Sequence, residues 1–281
     1  MPDIGFVNGR FLPLEEATVS VEDRGFQFGD GVYEVIRTYR GRLFRLDEHL
    51  ARLERSARAV ELPAPWDVRQ WAAYVQEGVK RAGYPECKVY LQLTRGVAPR
   101  DHVFPASARP TAVMTVREMK PTDPALQSTG VSVMTMDDWR WGRCDIKSVN
   151  LLPNVMARQK AAQAGAFEAV FIRTGKVTEG AVSNVMVVKG GGVLTAPEGE
   201  LILSGVTRTL VLDLIRKEGL PVEERFVTVD ELLRADEIFL TGTTVEVLPV
   251  IRVDGKPIGT GKPGPVTQRL QSAFRRLVGQ G

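Results

Sequence analysis

Lys147 is the residue best placed by type and surroundings to do chemistry. The chain has ten lysines, and Lys80, Lys160, Lys176, Lys217, Lys256 and Lys262 fall in turns or on polar helix faces. Lys147 instead sits in WGRCDIKSVNLLPN, flanked by Ile146 and Val149 and ahead of Leu151-Leu152. An amine on a partly apolar segment is a candidate nucleophile toward a carbonyl; a lysine with its head in solvent is the ordinary alternative. Glu179, in VTEG, follows the turn Thr174-Gly175-Lys176 and the strand-like FEAVFI, which sets a carboxylate beside a hairpin. Ser204-Gly205-Val206-Thr207 begins a helix-like stretch, and the free N–H groups of a helix start suit a phosphate. Thr241-Gly242-Thr243-Thr244 closes the strand-like EIFL with hydroxyls and a glycine. In RGVAPRDH, Arg95, Arg100 and His102 surround a Gly/Pro loop, where Arg100 offers a carboxylate a bidentate fork. Arg52 shares an amphipathic stretch with Arg45, Arg55 and Arg58. Taken singly, each has a plain explanation: a turn carboxylate, a capping hydroxyl, a basic loop, a solvated face.

The elements that must position these groups are strands and helices in irregular alternation. Strands are expected at 4–12, broken at Asn8-Gly9, and at 32–46, broken at Gly41. Leu46, Leu50, Leu53, Ala57 and Val60 repeat with helical spacing, with Asp47 as the N-cap. A second helix runs from Asp67 to about Gly83, followed by strands near 87–95 and 110–117. PTDPAL, at 121–126, holds two prolines in a short stretch and reads as part of an interdomain linker over 121–132. Beyond it come strands at 131–136, 167–173, 184–189, 222–227, 237–241 and 247–253, with helices at about 154–164, 206–218 and 265–278. The expected class is α/β, in the sense of mixed α and β, in two domains: 1–120, the smaller, and 133–281, the larger.

Composition closes several routes. The 281 residues are 43% apolar and 25% charged, enough for a substantial core without staples. Two histidines and two cysteines, His49, His102, Cys87 and Cys144, leave no multi-histidine or four-cysteine metal centre, so no metal is expected. A net charge of +3 points to neither nucleic acid nor membrane as the main partner. No apolar run approaches the roughly 20 residues of a spanning helix, and MPDIGFVNGR carries no signal pattern, so a cytoplasmic location is expected. No GxxxxGK[ST], HExxH or GxSxG occurs. The one GxGxxG, at Gly259, Gly261 and Gly264, has too little chain after it for a dinucleotide unit, and Pro263 removes a donor; it reads as a turn.

In order, the motifs form a set. Glu22-Asp23-Arg24-Gly25-Phe26-Gln27-Phe28-Gly29-Asp30-Gly31-Val32-Tyr33-Glu34, His49-Leu50-Ala51-Arg52-Leu53, Arg143-Cys144-Asp145-Ile146-Lys147-Ser148, Val177-Thr178-Glu179-Gly180, Gly205-Val206-Thr207-Arg208 and Thr243-Thr244 together resemble the fold-type IV pyridoxal-phosphate aminotransferases, most of all the branch acting on D-amino acids. The resemblance runs from about Phe6 to Leu277. It implies a two-domain fold in which the larger, C-terminal domain carries the lysine, with pyridoxal 5'-phosphate as cofactor. It also implies that Lys147 is the catalytic Schiff-base lysine, that Glu179 pairs with the pyridine nitrogen, and that Arg52, Gly205, Val206, Thr207 and Thr243 hold the phosphate. Tyr33, Arg100 and His102 would read the substrate carboxylate, the Arg-His loop coming from the neighbouring subunit of a homodimer. The implied reaction is ping-pong transfer of an amino group from a D-amino acid to a 2-oxo acid. An L-branched-chain aminotransferase and an aminodeoxychorismate lyase on the same fold are the alternatives, neither calling for the Arg-x-His pair; a protein that only binds a partner is a third. Ala181-Val182-Ser183 and Gly242 depart from the resembled pattern, which has hydroxyls there. Trp139, Arg140 and Trp141 are expected on the substrate side.

Overall fold

The computed structural model describes residues 2–107, 109–120 and 122–279. The chain divides into two compact units, Met1–Lys120 with Ile146–Asn150, and Pro121–Asp145 with Leu151–Gly281.

In the first unit, β1 (Ile4–Val7) and β2 (Arg10–Pro13) form a hairpin through Asn8 and Gly9, at φ 49° and 90°. Asn-Gly tolerates these left-handed angles, so the turn is a direct product of its sequence. After α1 (Arg24–Phe28) come β3 (Gly31–Tyr39), β4 (Arg42–Leu43), α2 (Leu46–Ala59), α3 (Val68–Ala82), β5 (Cys87–Thr94) and β6 (Thr111–Glu118). The six strands form one sheet in the order β2-β1-β6-β5-β3-β4. Helices α2 and α3 bury Leu50, Leu53, Ala57, Trp71, Val75 and Val79 in one core with Phe6, Ile36, Leu91 and Met114 of the sheet. Asp67 caps α3 by accepting from Gln70 N at 2.8 Å, and Gly83 ends it in the left-handed region. Asp47 is not the cap of α2: the helix starts one residue earlier, behind Arg45 at φ 55°, and Asp47 lies in the first turn, where a negative charge still opposes the helix dipole.

The second unit comprises α4 (Pro124–Thr129), β7 (Val131–Asp137), α5 (Leu152–Gln163), β8 (Glu168–Arg173), β9 (Lys176–Gly180), β10 (Asn184–Lys189), β11 (Gly192–Thr195), α6 (Val206–Lys217), β12 (Val222–Glu224), β13 (Val227–Thr228), α7 (Val229–Leu233), β14 (Glu237–Gly242), β15 (Glu246–Val253), β16 (Lys256–Pro257) and α8 (Pro265–Leu277). Nine strands run β12-β11-β10-β14-β15-β7-β8-β9-β13, with β16 paired to β15. β8 is buried on both faces: Val170 joins the core of Val133, Val185, Leu240 and Leu248, while Ala169 and Phe171 pack with Ala157 and Ala161 of α5. A strand covered on both sides needs the near-continuous apolar run that FEAVFI supplies.

Two expectations about domain boundaries change. Pro121, the first residue of the expected linker, lies outside the described residues, but 124–129 is helix and Val131 opens a strand, both in the second unit. Pro124 occupies the first helical turn, where its missing N–H costs nothing, and Asp123 caps that turn through Ala125 N at 2.9 Å. Lys147, expected in the larger C-terminal domain, belongs with the first unit. Its backbone carbonyl accepts from Tyr33 N at 2.9 Å, Val149 N donates to Gly31 O at 3.1 Å, and Ser148 bridges to Val32. Ile146–Asn150 therefore runs as an extra edge along the start of β3.

Candidate active site

In the first unit the site is built on β3 and α2. Tyr33 and Glu34 are consecutive on β3, so their side chains leave opposite faces. Helix α2 presents His49, Arg52 and Ser56 from one stripe, all buried. Ser56 Oγ accepts from Lys147 N at 3.1 Å, which with the Tyr33 hydrogen bond fixes the lysine backbone on both sides. Lys147 Nζ lies 4.1 Å from the centre of the Tyr33 ring. Among the described residues Nζ enters no hydrogen bond or ion pair, so no carboxylate holds the amine. Glu34 is fully buried; its carboxylate accepts from Arg52 Nε at 2.6 Å, Arg52 Nη2 at 2.9 Å and Val35 N at 3.2 Å, and pairs with His49 Nδ1 at 2.8 Å. Burial pushes the Glu34 carboxyl up, but the Arg52 charge and the bonds from His49 and Arg52 prevail and hold it at about 2. Burial pushes the His49 imidazole down, against its bond to Glu34, so His49 is neutral and donates through Nδ1. Glu34 thus fixes the plane of the Arg52 guanidinium, the group expected to hold phosphate.

Arg100 and His102 are exposed. They touch Phe28 and the Gln27 carbonyl, and among the described residues neither has a hydrogen bond or ring contact with Tyr33 or Lys147.

In the second unit Glu179 is the penultimate residue of β9, buried. Oε2 accepts from Asn184 Nδ2 at 2.9 Å and from Leu203 N at 3.0 Å, and Oε1 pairs with Arg140 Nη1. Arg140 was expected on the substrate side. Its guanidinium instead chelates Asp138 at 2.9 Å through Nε and Nη2, stacks 4.5 Å from the Phe171 ring and reaches Glu179. Burial works against the Arg140 charge, yet Asp138 and Glu179 raise its pKa on balance. Trp139 and Trp141, expected beside it, are exposed. Cys144 is a buried thiol pushed up to about 11, by burial first, with Glu179 and Asp138 adding to the effect of burial. Burial also pushes Cys87 up.

Gly205 is the N-cap of α6, so the first helical amides belong to Val206 and Thr207 and find no acceptor within the helix. A Cβ at Gly205 would overlap Asn184 Oδ1. The glycine is therefore required by close approach, and Asn184, which also donates to Leu203 O at 2.9 Å, links the Glu179 carboxylate to this helix start. Thr243 lies just past β14, half-buried, with no side-chain partner among the described residues, and Thr241 Oγ1 is buried without a partner. The helix start at α8, which follows the GxGxxG string, is different. Glu237 accepts there from Val266 N at 2.9 Å, Thr267 N at 2.8 Å and Thr267 Oγ1 at 2.7 Å. A carboxylate already fills the position a phosphate would take.

The profile of the family described as Amino-transferase class IV matches residues 31–253. The chain belongs to the class IV aminotransferases. It is 49% identical over 272 residues to a D-alanine aminotransferase of Bacillus licheniformis, covering 96% of this chain and 95% of that protein. A D-alanine aminotransferase of Staphylococcus haemolyticus is 42% identical, covering 97% of both chains. Among solved structures, the branched-chain amino acid aminotransferase of Escherichia coli superposes with a TM-score of 0.93 at 26% identity, over 100% of this chain and 96% of that one. The branched-chain amino acid aminotransferase of Thermobaculum terrenum, in its PLP-bound holo-form, gives 0.87 at 28% identity, over 100% and 95%. The fold-type IV expectation is correct.

The ordered motifs point to Lys147, Glu179 and the Gly205–Thr207 turn, and the structure gives each a defined surrounding. They did not lead to Asn184, nor to the role of Arg140. The signal for Asn184 is faint: an amide opening a strand, five residues after a buried carboxylate and opposite a glycine helix cap.

Proposed function

We infer that the protein is a pyridoxal-phosphate-dependent aminotransferase moving an amino group from a D-amino acid of the D-alanine class to a 2-oxo acid. The observation that carries this reading is the 49% identity, over nearly the whole of both chains, to a D-alanine aminotransferase. The branched-chain enzymes share the fold at 26% and 28% identity, which speaks to architecture more than to substrate. The Arg100-x-His102 pair favours the D-amino acid reading over a branched-chain enzyme or a lyase.

The residues suit the cofactor. Each unit holds donor types that an aldehyde bearing a phosphate needs: in the first, the Lys147 amine, with no hydrogen bond or ion pair among the described residues, and an oriented Arg52; in the second, the helix-start amides of Val206 and Thr207 and the Thr243 hydroxyl. When bound, pyridoxal phosphate supplies an electron sink for the carbanion left when the substrate α-proton departs. Lys147 is the covalent anchor and its Nζ carries that proton. The Tyr33 ring limits the directions Nζ can take. Glu179, oriented by Arg140, Asn184 and the Leu203 amide, holds a proton on the pyridine nitrogen. Val206 N, Thr207 N, Thr243 Oγ1 and Arg52 bind the phosphate, and Gly205 keeps the turn open for it. Tyr33, Arg100 and His102 read the carboxylate.

The protein acts as a homodimer with shared sites. Val21, Phe26, Val103 and Phe104 are 72%, 73%, 73% and 51% exposed beside Arg100 and His102, an apolar surface suited to a second copy. Two subunits also account for a carboxylate-reading pair that, among the described residues, has no hydrogen bond or ring contact with Lys147 of its own chain. A cytoplasmic location is supported by two free thiols, Cys87 and Cys144, and no described helix is long and apolar enough to cross a membrane.

The visible spectrum of the purified holoenzyme tests the reading. D-alanine, and not L-leucine, bleaches the band of the lysine-bound cofactor, and 2-oxoglutarate restores it. Bleaching by L-leucine alone overturns the D-amino acid reading.

A further inference from the structure

Arg100 and His102 are exposed side chains on a loop, yet a reader of carboxylates has to hold its donors in one geometry before the ligand arrives. Two grips on that loop come from α1. The backbone grip is Arg24, 3% exposed, whose Nη1 donates to Asp101 O and to Val103 O at 3.4 Å, and whose Nη2 donates to His102 O at 3.5 Å. Asp30 anchors that guanidinium at 2.8 Å and also takes Arg95 Nε at 2.8 Å, so Arg24 is fixed at both ends.

The side-chain grip is Phe28, the last residue of α1. Its ring centre lies 4.4 Å from the Arg100 guanidinium carbon and 5.3 Å from the His102 ring centre, with the two rings tilted by 50°. Arg24 stacks on the same ring at 4.8 Å. Beyond Phe28, Arg100 has one hydrogen bond, Nη1 to Gln27 O at 3.3 Å, and the His102 ring has none among the described residues. An aromatic face suits this task because it holds a guanidinium by cation–π attraction and an imidazole by stacking without accepting their N–H groups. An aspartate in its place would orient Arg100 equally well and then compete with the ligand for it.

We propose that Phe28 is a positioning residue that sets the carboxylate selectivity of the enzyme by holding Arg100 and His102 in register, with Arg24 as its backbone counterpart. The inference rests on the reading of Arg100 and His102 as carboxylate donors. It concerns how those donors are arranged before any ligand binds.

The test uses the holoenzyme with Phe28→Leu, Phe28→Tyr and Arg100→Ala. The readouts are KM and kcat for D-alanine, the inhibition constant of propionate as an amine-free carboxylate, and the affinity for added pyridoxal phosphate. Phe28→Leu raises both the D-alanine KM and the propionate constant about tenfold, leaves kcat within about twofold and leaves cofactor affinity unchanged, while Phe28→Tyr behaves as the parent. The proposal is overturned if Phe28→Leu leaves both constants unmoved. It is equally overturned if kcat and cofactor affinity fall in step with them, as general loss of structure would cause. Arg100→Ala separates the two levels. If it moves neither constant, the carboxylate reading itself is wrong and the Phe28 role goes with it; if it moves both and Phe28→Leu moves neither, the Phe28 role alone fails.

Discussion

Each unit contains a buried arginine–carboxylate cluster, and the two are built differently. In the first, Glu34 of β3 meets His49 and Arg52, both from the same face of α2, so one helix docking on one strand completes the cluster. In the second, Glu179 of β9 is met by Arg140, 39 residues before it, by Leu203, 24 residues after it, and by Asn184 of β10. Charge is distributed differently as well. Arg52 meets the Glu34 carboxylate beside a neutral His49. Arg140 serves two carboxylates, Asp138 and Glu179, with Arg173 3.2 Å from Asp138. The difference teaches what each cluster can offer a ligand. Glu34 holds Arg52 through two hydrogen bonds, so Arg52 has less positive charge to give a second anion. Glu179 shares its arginine with Asp138, so Arg140 is divided between two carboxylates.

The largest effect separates chemistry from both clusters. Lys147→Ala lowers D-alanine transamination by at least about 10⁴-fold. Its melting temperature stays within about 2 °C of the parent, because among the described residues Nζ makes no hydrogen bond or ion pair and only lies over the Tyr33 ring. Retained turnover would remove Lys147 from the chemistry. Next, Arg140→Ala leaves Asp138 and Glu179 without their shared partner and costs about 3–5 kcal/mol in urea denaturation. Arg52→Ala leaves Glu34 with His49 and Val35 N and costs less; an equal or greater loss for Arg52→Ala would break the comparison.

The third prediction is an acid sensitivity to which the first cluster contributes through Glu34. Glu34 is held at about 2 against an ordinary 4.5. Its stabilisation is therefore complete above pH 4.5 and is lost as pH falls toward 2, a change on the order of 3 kcal/mol. His49 adds a loss beginning higher, as pH falls below the 6.5 of an unfolded histidine, because the native state keeps the imidazole neutral. Denaturation midpoints between pH 7 and 3 should fall for the parent and fall less for Glu34→Gln. Parallel curves would show that the cluster does not titrate with folding. The smallest effect is a yardstick touching neither cluster: Asp67→Ala removes the α3 cap and costs about 1 kcal/mol by the same denaturation.

This contrast also explains what could be read from the residues alone. Local signals worked where structure is local: the Asn8-Gly9 hairpin, the capped α3 and the helix starting at Val206. The family was legible because ordered motifs, around Lys147, Glu179 and Gly205–Thr207, carry the resemblance. The partners of Glu179 were not, because nothing near Arg140 in sequence announces a carboxylate 39 residues on. The segment 121–132 was misread since proline marks a break in most contexts, whereas Pro124 sits at the one helical position that suits it. Lys147 was assigned to the wrong unit because Ile146–Asn150 pairs with β3 over more than a hundred residues of chain, a register that no local pattern encodes.

The two cysteines have a practical side. Both sulfurs are buried, and both thiols are pushed above the ordinary range, Cys144 to about 11, so neither offers much thiolate at neutral pH. An engineered cysteine on an exposed surface would then be the single reactive thiol of the chain. Maleimide dyes or spin labels could be attached there without first removing either native cysteine.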